Sequence, residues 1–233
     1  FFCEAADDEF RSRVLTSINR QLEHAISNFR YVKQGVKRIR ALKGIITAIV
    51  ALDSDTTRLE TLEDWVLKEL VVQVAADGGH ISRSPAIQIE FIMALIDIRN
   101  CLRVCRWKVP EELIQIIFKM TSMLRLRRHG DGKLALFHGT KEGGVSLLES
   151  VIALSESGRK TVTEAPNTGF QRLVSGRSTL IVDTGGSKGS SGTSHSSPLS
   201  FEFSIGKQRL IVNCGTSPGD ILLKKSNYIY FCW

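Results

Sequence analysis

Apolar residues recur at helical spacing through residues 1–128 and at strand spacing from about residue 130 onward. Phe10, Val14, Ile18, Leu22 and Ile26 form one stripe at intervals of four, which predicts a helix capped by Asp7 or Asp8 and running to about Asn28. A second helix is expected over Val36–Leu52. A third, from about Leu59 to Ala76, is amphipathic through Leu62, Trp65, Val66, Leu70 and Val74 and stops at Gly78-Gly79. Pro85 suits the first turn of a fourth helix, Ala86–Arg106, whose apolar residues cover most of its circumference and predict a central position. The fifth, Glu111–Arg128, starts acidic and ends in arginines, as the helix dipole prefers. Short connections predict antiparallel helical hairpins.

After Asp131-Gly132 the period changes. Lys133–Phe137, Gly169–Val174, Ser178–Asp183, Leu199–Ile205 and Gln208–Asn213 read as strands, with Gly206-Lys207 as a tight hairpin turn. In the fourth of these, Leu199, Phe201, Phe203 and Ile205 are expected on the buried face and Ser200, Glu202 and Ser204 on a wet one. The fold class expected is therefore α+β, with a helical domain over residues 1–129 and a strand-rich domain over residues 130–233. The last residues, Tyr228-Ile-Tyr-Phe-Cys-Trp233, form an apolar run that reads as a truncated or frame-altered end. The start lacks an initiator Met, a basic region and a long apolar segment, so no signal peptide is expected and the chain is expected to begin inside a longer protein.

Charge narrows the partners. The formal net charge is +7, with basic residues concentrated at Lys37–Arg40, Arg99–Lys108 and Arg125–Arg128, a surface that favours polyanions of any kind. A nucleic-acid partner is not expected, because the chain lacks both the aromatic interleaving of a single-strand platform and a recognisable reading helix. No apolar stretch reaches the roughly 18 residues of a membrane span. Five cysteines, Cys3, Cys101, Cys105, Cys214 and Cys232, include no Cys-x-x-Cys pair, and Cys101 and Cys105 are expected as buried small hydrophobes on one helix face.

Two loops carry candidate chemistry. In Asp77-Gly-Gly-His-Ile-Ser-Arg-Ser-Pro85, the side chains of His80, Ser82, Arg83 and Ser84 can point the same way. The same residues also read as a helix C-cap followed by an N-cap, with Ser84 capping and Pro85 at the first helical position. In Arg127-Arg-His-Gly-Asp-Gly132, His129 and Asp131 sit beside glycines, which reads equally as a helix C-terminus and a hinge. The glycine-rich Gly185–Ser191 lacks Gly-Lys-Ser/Thr and a following helix, so a surface loop is expected there rather than a phosphate cradle. There is no Gly-x-Ser-x-Gly or His-Glu-x-x-His either.

Four segments in order, Asp77–Pro85, Leu124-Arg-Leu-Arg-Arg-His-Gly-Asp-Gly-Lys-Leu-Ala-Leu-Phe-His-Gly139, Gly169-Phe-Gln-Arg-Leu173, and His195–Ser204 followed by Leu210-Ile-Val-Asn-Cys-Gly215, resemble heparinase II/III-type proteins, and most closely the alphaproteobacterial branch. The resemblance implies the C-terminal helices of an α/α toroid followed by a partial antiparallel β-sandwich. It also implies polysaccharide lyase chemistry: β-elimination on uronate-containing acidic polysaccharide, in a bacterial periplasm or cytoplasm. Such a reaction needs a group that neutralises the C6 carboxylate, a base for the C5 proton and an acid for the departing O4. The site residues so implied are His80 or His195 as base and Arg83 as carboxylate neutraliser, with Ser82, Arg128 and His129 binding substrate.

The match has gaps. Where family members continue Glu-Gln-Ser-Pro-x-Tyr-His, this chain has Ser82, Arg83, Ser84, Pro85, Ala86, Ile87 and Gln88, so the Tyr is missing. The family's His-x-His-x-Asp falls on Thr193, His195 and Ser197, with Asn213 at the later aspartate. A zinc site needs about three or four ligands and His195 stands alone, so no metal is expected; no other cofactor is expected either. The alternative implied by the gaps is a catalytically degraded glycan-binding or envelope-associated relative. A helical part lacking its neighbours would leave apolar faces uncovered, which points to a homo-oligomer.

Overall fold

The computed structural model describes residues 8–52, 57–185 and 199–213. Six helices precede a sheet: α1 (Asp8–Asn28), α2 (Val36–Ala51), α3 (Arg58–Gln73), α4 (Pro85–Val104), α5 (Glu111–Leu126) and α6 (Val145–Leu154), then β1 (Glu164–Ala165), β2 (Phe170–Ser175), β3 (Ser178–Asp183), β4 (Phe201–Ile205) and β5 (Gln208–Ile211). The strands form one antiparallel meander in chain order. No described helix is long and apolar enough to cross a membrane.

The chain divides into two compact units, one of Phe1–Val71 with Ala94–Ile114 and one of Val72–Met93 with Gln115–Trp233. The boundary expected between residues 129 and 130 falls inside the second. In the first unit, α2 buries Ile39, Leu42, Ile45, Ile46 and Ile49, a stripe at helical spacing. Five α-helices lie where the periodicity puts them, within a few residues at each end. Of the stripe on α1, Leu22 is buried, Val14, Ile18 and Ile26 are half-buried, and Phe10 is exposed. Cys101 and Cys105 are half-buried rather than buried. Their sulfurs contact the Thr47 hydroxyl and the Leu102 carbonyl.

The second unit has an apolar core of Met123, Leu126, Ala135, Phe137, Ala165, Phe170 and Ile181. Three features differ from the sequence expectation. Lys133–Phe137 joins no sheet among the described residues. Leu134 makes a single bridge to Arg128, the Ala135 N–H goes to the Arg127 carbonyl, and the Leu136 N–H donates to a side chain, Oε1 of Glu202. Helix α6 was not anticipated, because it follows Gly143-Gly144, has no side-chain cap and spans only 10 residues.

The third difference is the face of β4. Glu202 and Ser204 are fully buried and Ser200 nearly so, whereas Leu199 is 71% exposed and Ile205 41%. The apolar residues of the outer face, Leu173, Leu180, Val182, Phe201 and Phe203, pair across β2, β3 and β4. Alternation alone gives the two faces of a strand, and the inner one went to the side that hydrogen-bonding partners could satisfy.

Candidate functional site

All the described motif residues fall in the second unit, and they form two buried polar networks. The first begins where α3 ends. Gly78 takes a positive φ of 84° and its Cβ position is occupied by the backbone of Lys119, so this turn needs glycine. Asp77 then folds back: its Oδ1 accepts the Gly79 N–H at 3.0 Å and its Oδ2 accepts the N–H and hydroxyl of Thr168 at 2.7 and 3.1 Å.

His80 is buried in this turn. Its Nδ1 accepts the Ser82 N–H at 3.0 Å and lies 2.8 Å from the Ser82 hydroxyl, while Nε2 faces Gln73 Oε1 at 3.3 Å. That pattern fits a neutral ring with its proton on Nε2. Burial, reinforced by the charge of Arg127, pushes the imidazole down from 6.5 to about 4. Gln88, at the place where the resemblance expects a histidine, is a hub. Its Oε1 accepts the His80 N–H and Arg127 Nη1, and its Nε2 donates to the carbonyls of Gly78 and Met120.

Arg83 reaches across the unit. Its Nε donates to the Thr168 carbonyl at 2.7 Å, and Nη2 pairs with Asp183 Oδ1 and approaches the Gly169 carbonyl. The other carboxylate oxygen of Asp183 meets His138 Nε2 at 2.7 Å. Phe170 is the centre of this cluster: the guanidinium carbons of Arg127 and Arg83 lie 4.2 and 5.1 Å from its ring centroid, and His138 stands edge-on. Burial lowers the Arg127 guanidinium to about 9, against an opposing pull from Asp77 and Asp183. Among the described residues, Arg127 Nε and Nη2 and His138 Nδ1 are buried without hydrogen-bond partners. Ser84 does not cap α4 with its side chain. Its hydroxyl meets Thr140, and Thr140 Oγ1 takes the Ala86 N–H.

The second network locks the segment after α5 to the sheet. His129 places Nδ1 2.8 Å from the Ser204 hydroxyl and Nε2 2.9 Å from Glu202 Oε2, with neither His129 nor Glu202 side chain exposed. Glu202 Oε1 accepts the N–H groups of Leu136 and Asn213. Arg209 clamps both Asp131 oxygens, at 2.8 and 3.2 Å. Burial alone raises the Asp131 carboxyl, but the bonds from Arg209 and the Lys133 N–H outweigh it and hold the group below its usual value. Arg128 is half-buried, with Nε on the Gly132 carbonyl and Nη2 on Glu149.

The fold thus brings Ser82 to His80 and Arg83 to Asp183, and sets His129 apart on the sheet. His195 lies outside the described residues. Sequence reasoning missed His138, Asp183, Arg127 and Glu202. His138 was visible only as part of Leu-Ala-Leu-Phe-His-Gly, and Asp183 and Glu202 read as ordinary strand positions. Among the described residues no cluster of three or more His, Cys, Asp or Glu is arranged to hold a metal ion.

Residues 157–220 match the family model described as heparinase II/III-like, C-terminal. Over 221 residues the chain is 31% identical to the FtsZ-localized protein C of Caulobacter vibrioides, an alignment covering 92% of this chain and 37% of that protein. Among solved structures, a heparinase III with methylated lysines superposes with a TM-score of 0.73 at 18% identity, covering 92% of this chain and 38% of that one. The heparan sulfate lyase HepC from Pedobacter heparinus gives 0.73 at 17% identity, covering 93% and 38%. The chain therefore spans well under half the length of these relatives, and the structural likeness shows their fold, the C-terminal part of a helical toroid followed by β-sandwich strands. The chain thus has the fold of heparinases over about nine-tenths of its length, and its residues 157–220 match the heparinase II/III-like C-terminal model.

Proposed function

We propose that this protein engages acidic, uronate-containing polysaccharide through a lyase-like fold and that its described motif residues hold the fold rather than break the glycan. One observation carries this reading: His80, Arg83 and His129 are buried and committed to partners within the chain. A base needs a free lone pair within reach of the C5 proton. On His80, Nδ1 already receives the Ser82 N–H. A carboxylate neutraliser needs unspent donors, and Arg83 directs its own to Asp183 and backbone carbonyls. The net charge of +7 supports an acidic ligand.

The test is ultraviolet absorbance of unsaturated uronate products over a panel of acidic polysaccharides, paired with a binding measurement on the same panel. Saturable binding that weakens with salt, without product, is expected. Neither binding nor product from folded protein overturns the reading.

A second reading, β-elimination itself, is favoured by His138. Asp183 fixes its Nε2, and Nδ1 is left without a partner among the described residues, the arrangement by which a carboxylate orients a catalytic imidazole. In this reading His138 joins His195 as a candidate base. Product formation that disappears in both His138→Ala and His195→Ala would replace the binding reading with this one, and product that survives both would remove the two histidines from the chemistry.

A further inference from the structure

A cleft of about 360 Å³ opens in the first unit between the end of α1, the start of α2 and the middle of α3, within the size range of small-ligand pockets. Its wall is Ile26, Phe29 and Trp65, and its charged residues are Arg30, Arg38, Lys68 and Glu69. The two rings stack, with centroids 4.7 Å apart and planes 3° from parallel. The Arg38 guanidinium carbon lies 4.7 Å from the Phe29 ring centroid. Arg38 is also committed to charge balance, its Nε lying 2.8 Å from buried Glu69.

Arg30 and Lys68 are different. Both are exposed, and neither makes an ion pair among the described residues. Arg30 rests its guanidinium over Tyr31, 4.8 Å from the ring centroid. The cleft therefore combines an apolar wall, one balanced pair and two unspent cations. Such a surface suits a ring with an apolar face and anionic substituents. A flat base sandwiched between these two rings does not fit, because they already stack on each other.

We propose that this cleft binds an acidic saccharide unit, a carboxylated or sulfated pyranose, with the sugar against Trp65 and its anionic groups held by Arg30 and Lys68. The choice of a saccharide rests on the function proposed above; the cleft itself lies outside the motif-bearing networks.

The experiment is titration calorimetry of the protein with a sulfated uronate-containing disaccharide, a neutral disaccharide and inorganic sulfate. It compares the wild type with the double variant Arg30→Ala/Lys68→Ala and with Trp65→Ala. Circular dichroism checks that each is folded, and the two exposed cations are removed without opening the core. Expected are binding of the acidic disaccharide only, at least tenfold weaker in the double variant, and weaker in Trp65→Ala. Unchanged binding in the double variant overturns the proposal, as does inorganic sulfate binding as tightly as the disaccharide, which marks a bare anion site. The two proposals fail separately. Polysaccharide binding indifferent to Arg30 and Lys68 sinks the cleft alone, while disaccharide binding at the cleft without binding of the polymer sinks the polysaccharide reading alone.

Discussion

At the scale of single residues, the second unit is governed by polar side chains whose burial is matched by partners. His80 shows what this means for solution behaviour. Its folded value of about 4 lies below the ordinary 6.5, so between these values the unfolded chain binds the proton more readily than the folded one. Stability from this group is complete above about pH 6.5 and falls as pH drops toward 4. The full difference is about 3 kcal/mol, with about 2 kcal/mol lost by roughly pH 5. Urea midpoints at pH 7 and pH 5 should therefore separate in the wild type and draw together in His80→Gln. An equal separation in both proteins would show that some other group carries the dependence. This residue was legible in the sequence as a loop histidine beside glycines. That its lone pair would be spent on the Ser82 N–H was not, because a histidine exposed in a groove and one buried in a turn follow the same local pattern.

At the scale of elements, β4 is the informative case. Its alternation defines two faces, and hydrophobicity assigns the apolar one to the interior. The structure does the reverse because His129, Arg209 and the N–H groups of Leu136 and Asn213 converge on the polar face. A buried charge with complete partners is tolerated, and the same charge with a partner removed is not. Ser204→Ala, which removes only the hydroxyl that meets His129 Nδ1, should cost about 1–3 kcal/mol. Leu173→Ser, at a position 58% exposed, should change stability by less than about 0.5 kcal/mol. Denaturant titration of the two variants checks this, and a larger loss for Leu173→Ser would mean that the outer face is covered in solution. The helices were easier to read than this strand. Their ends are marked by Pro85, Pro110 and Gly78, which act locally.

At the scale of the whole molecule, the ties within the second unit span long stretches of sequence. Arg83 and Asp183 are 100 residues apart, and Asp77 and Thr168 are 91 apart. Such ties make the unit cooperative, since losing one releases a whole segment. Arg83 directs three different nitrogens to partners set around it. Lysine, with a single compact ammonium, cannot reproduce that fork. Arg83→Lys should therefore lower the thermal midpoint nearly as much as Arg83→Ala. Full rescue by lysine would reduce the role of Arg83 to charge alone. The basic runs also look different at this scale. Of Arg125–Arg128, Arg127 is buried, Arg125 bonds to Ser157, and Arg128 pairs with Glu149. Counting charge along the chain overstates what that stretch offers a polyanion, whereas Arg30 and Lys68 in the first unit remain unspent.

The sequence by itself determined the positions of α1–α5, most of the meander with its Gly206-Lys207 turn, and the resemblance to heparinase II/III-type proteins. Spacing, glycines and prolines act over a few residues, and the four motifs keep their order along the chain. Only the tertiary structure decided which face of β4 is buried, that Thr140 caps α4, and that His80, Arg83 and His129 are fastened rather than free. The face of β4, the Thr140 cap, Arg83 and His129 depend on partners dozens of residues away, and a local pattern carries no record of where such a partner will stand; His80, tied to Ser82 two residues on, is fastened because the fold buries its turn.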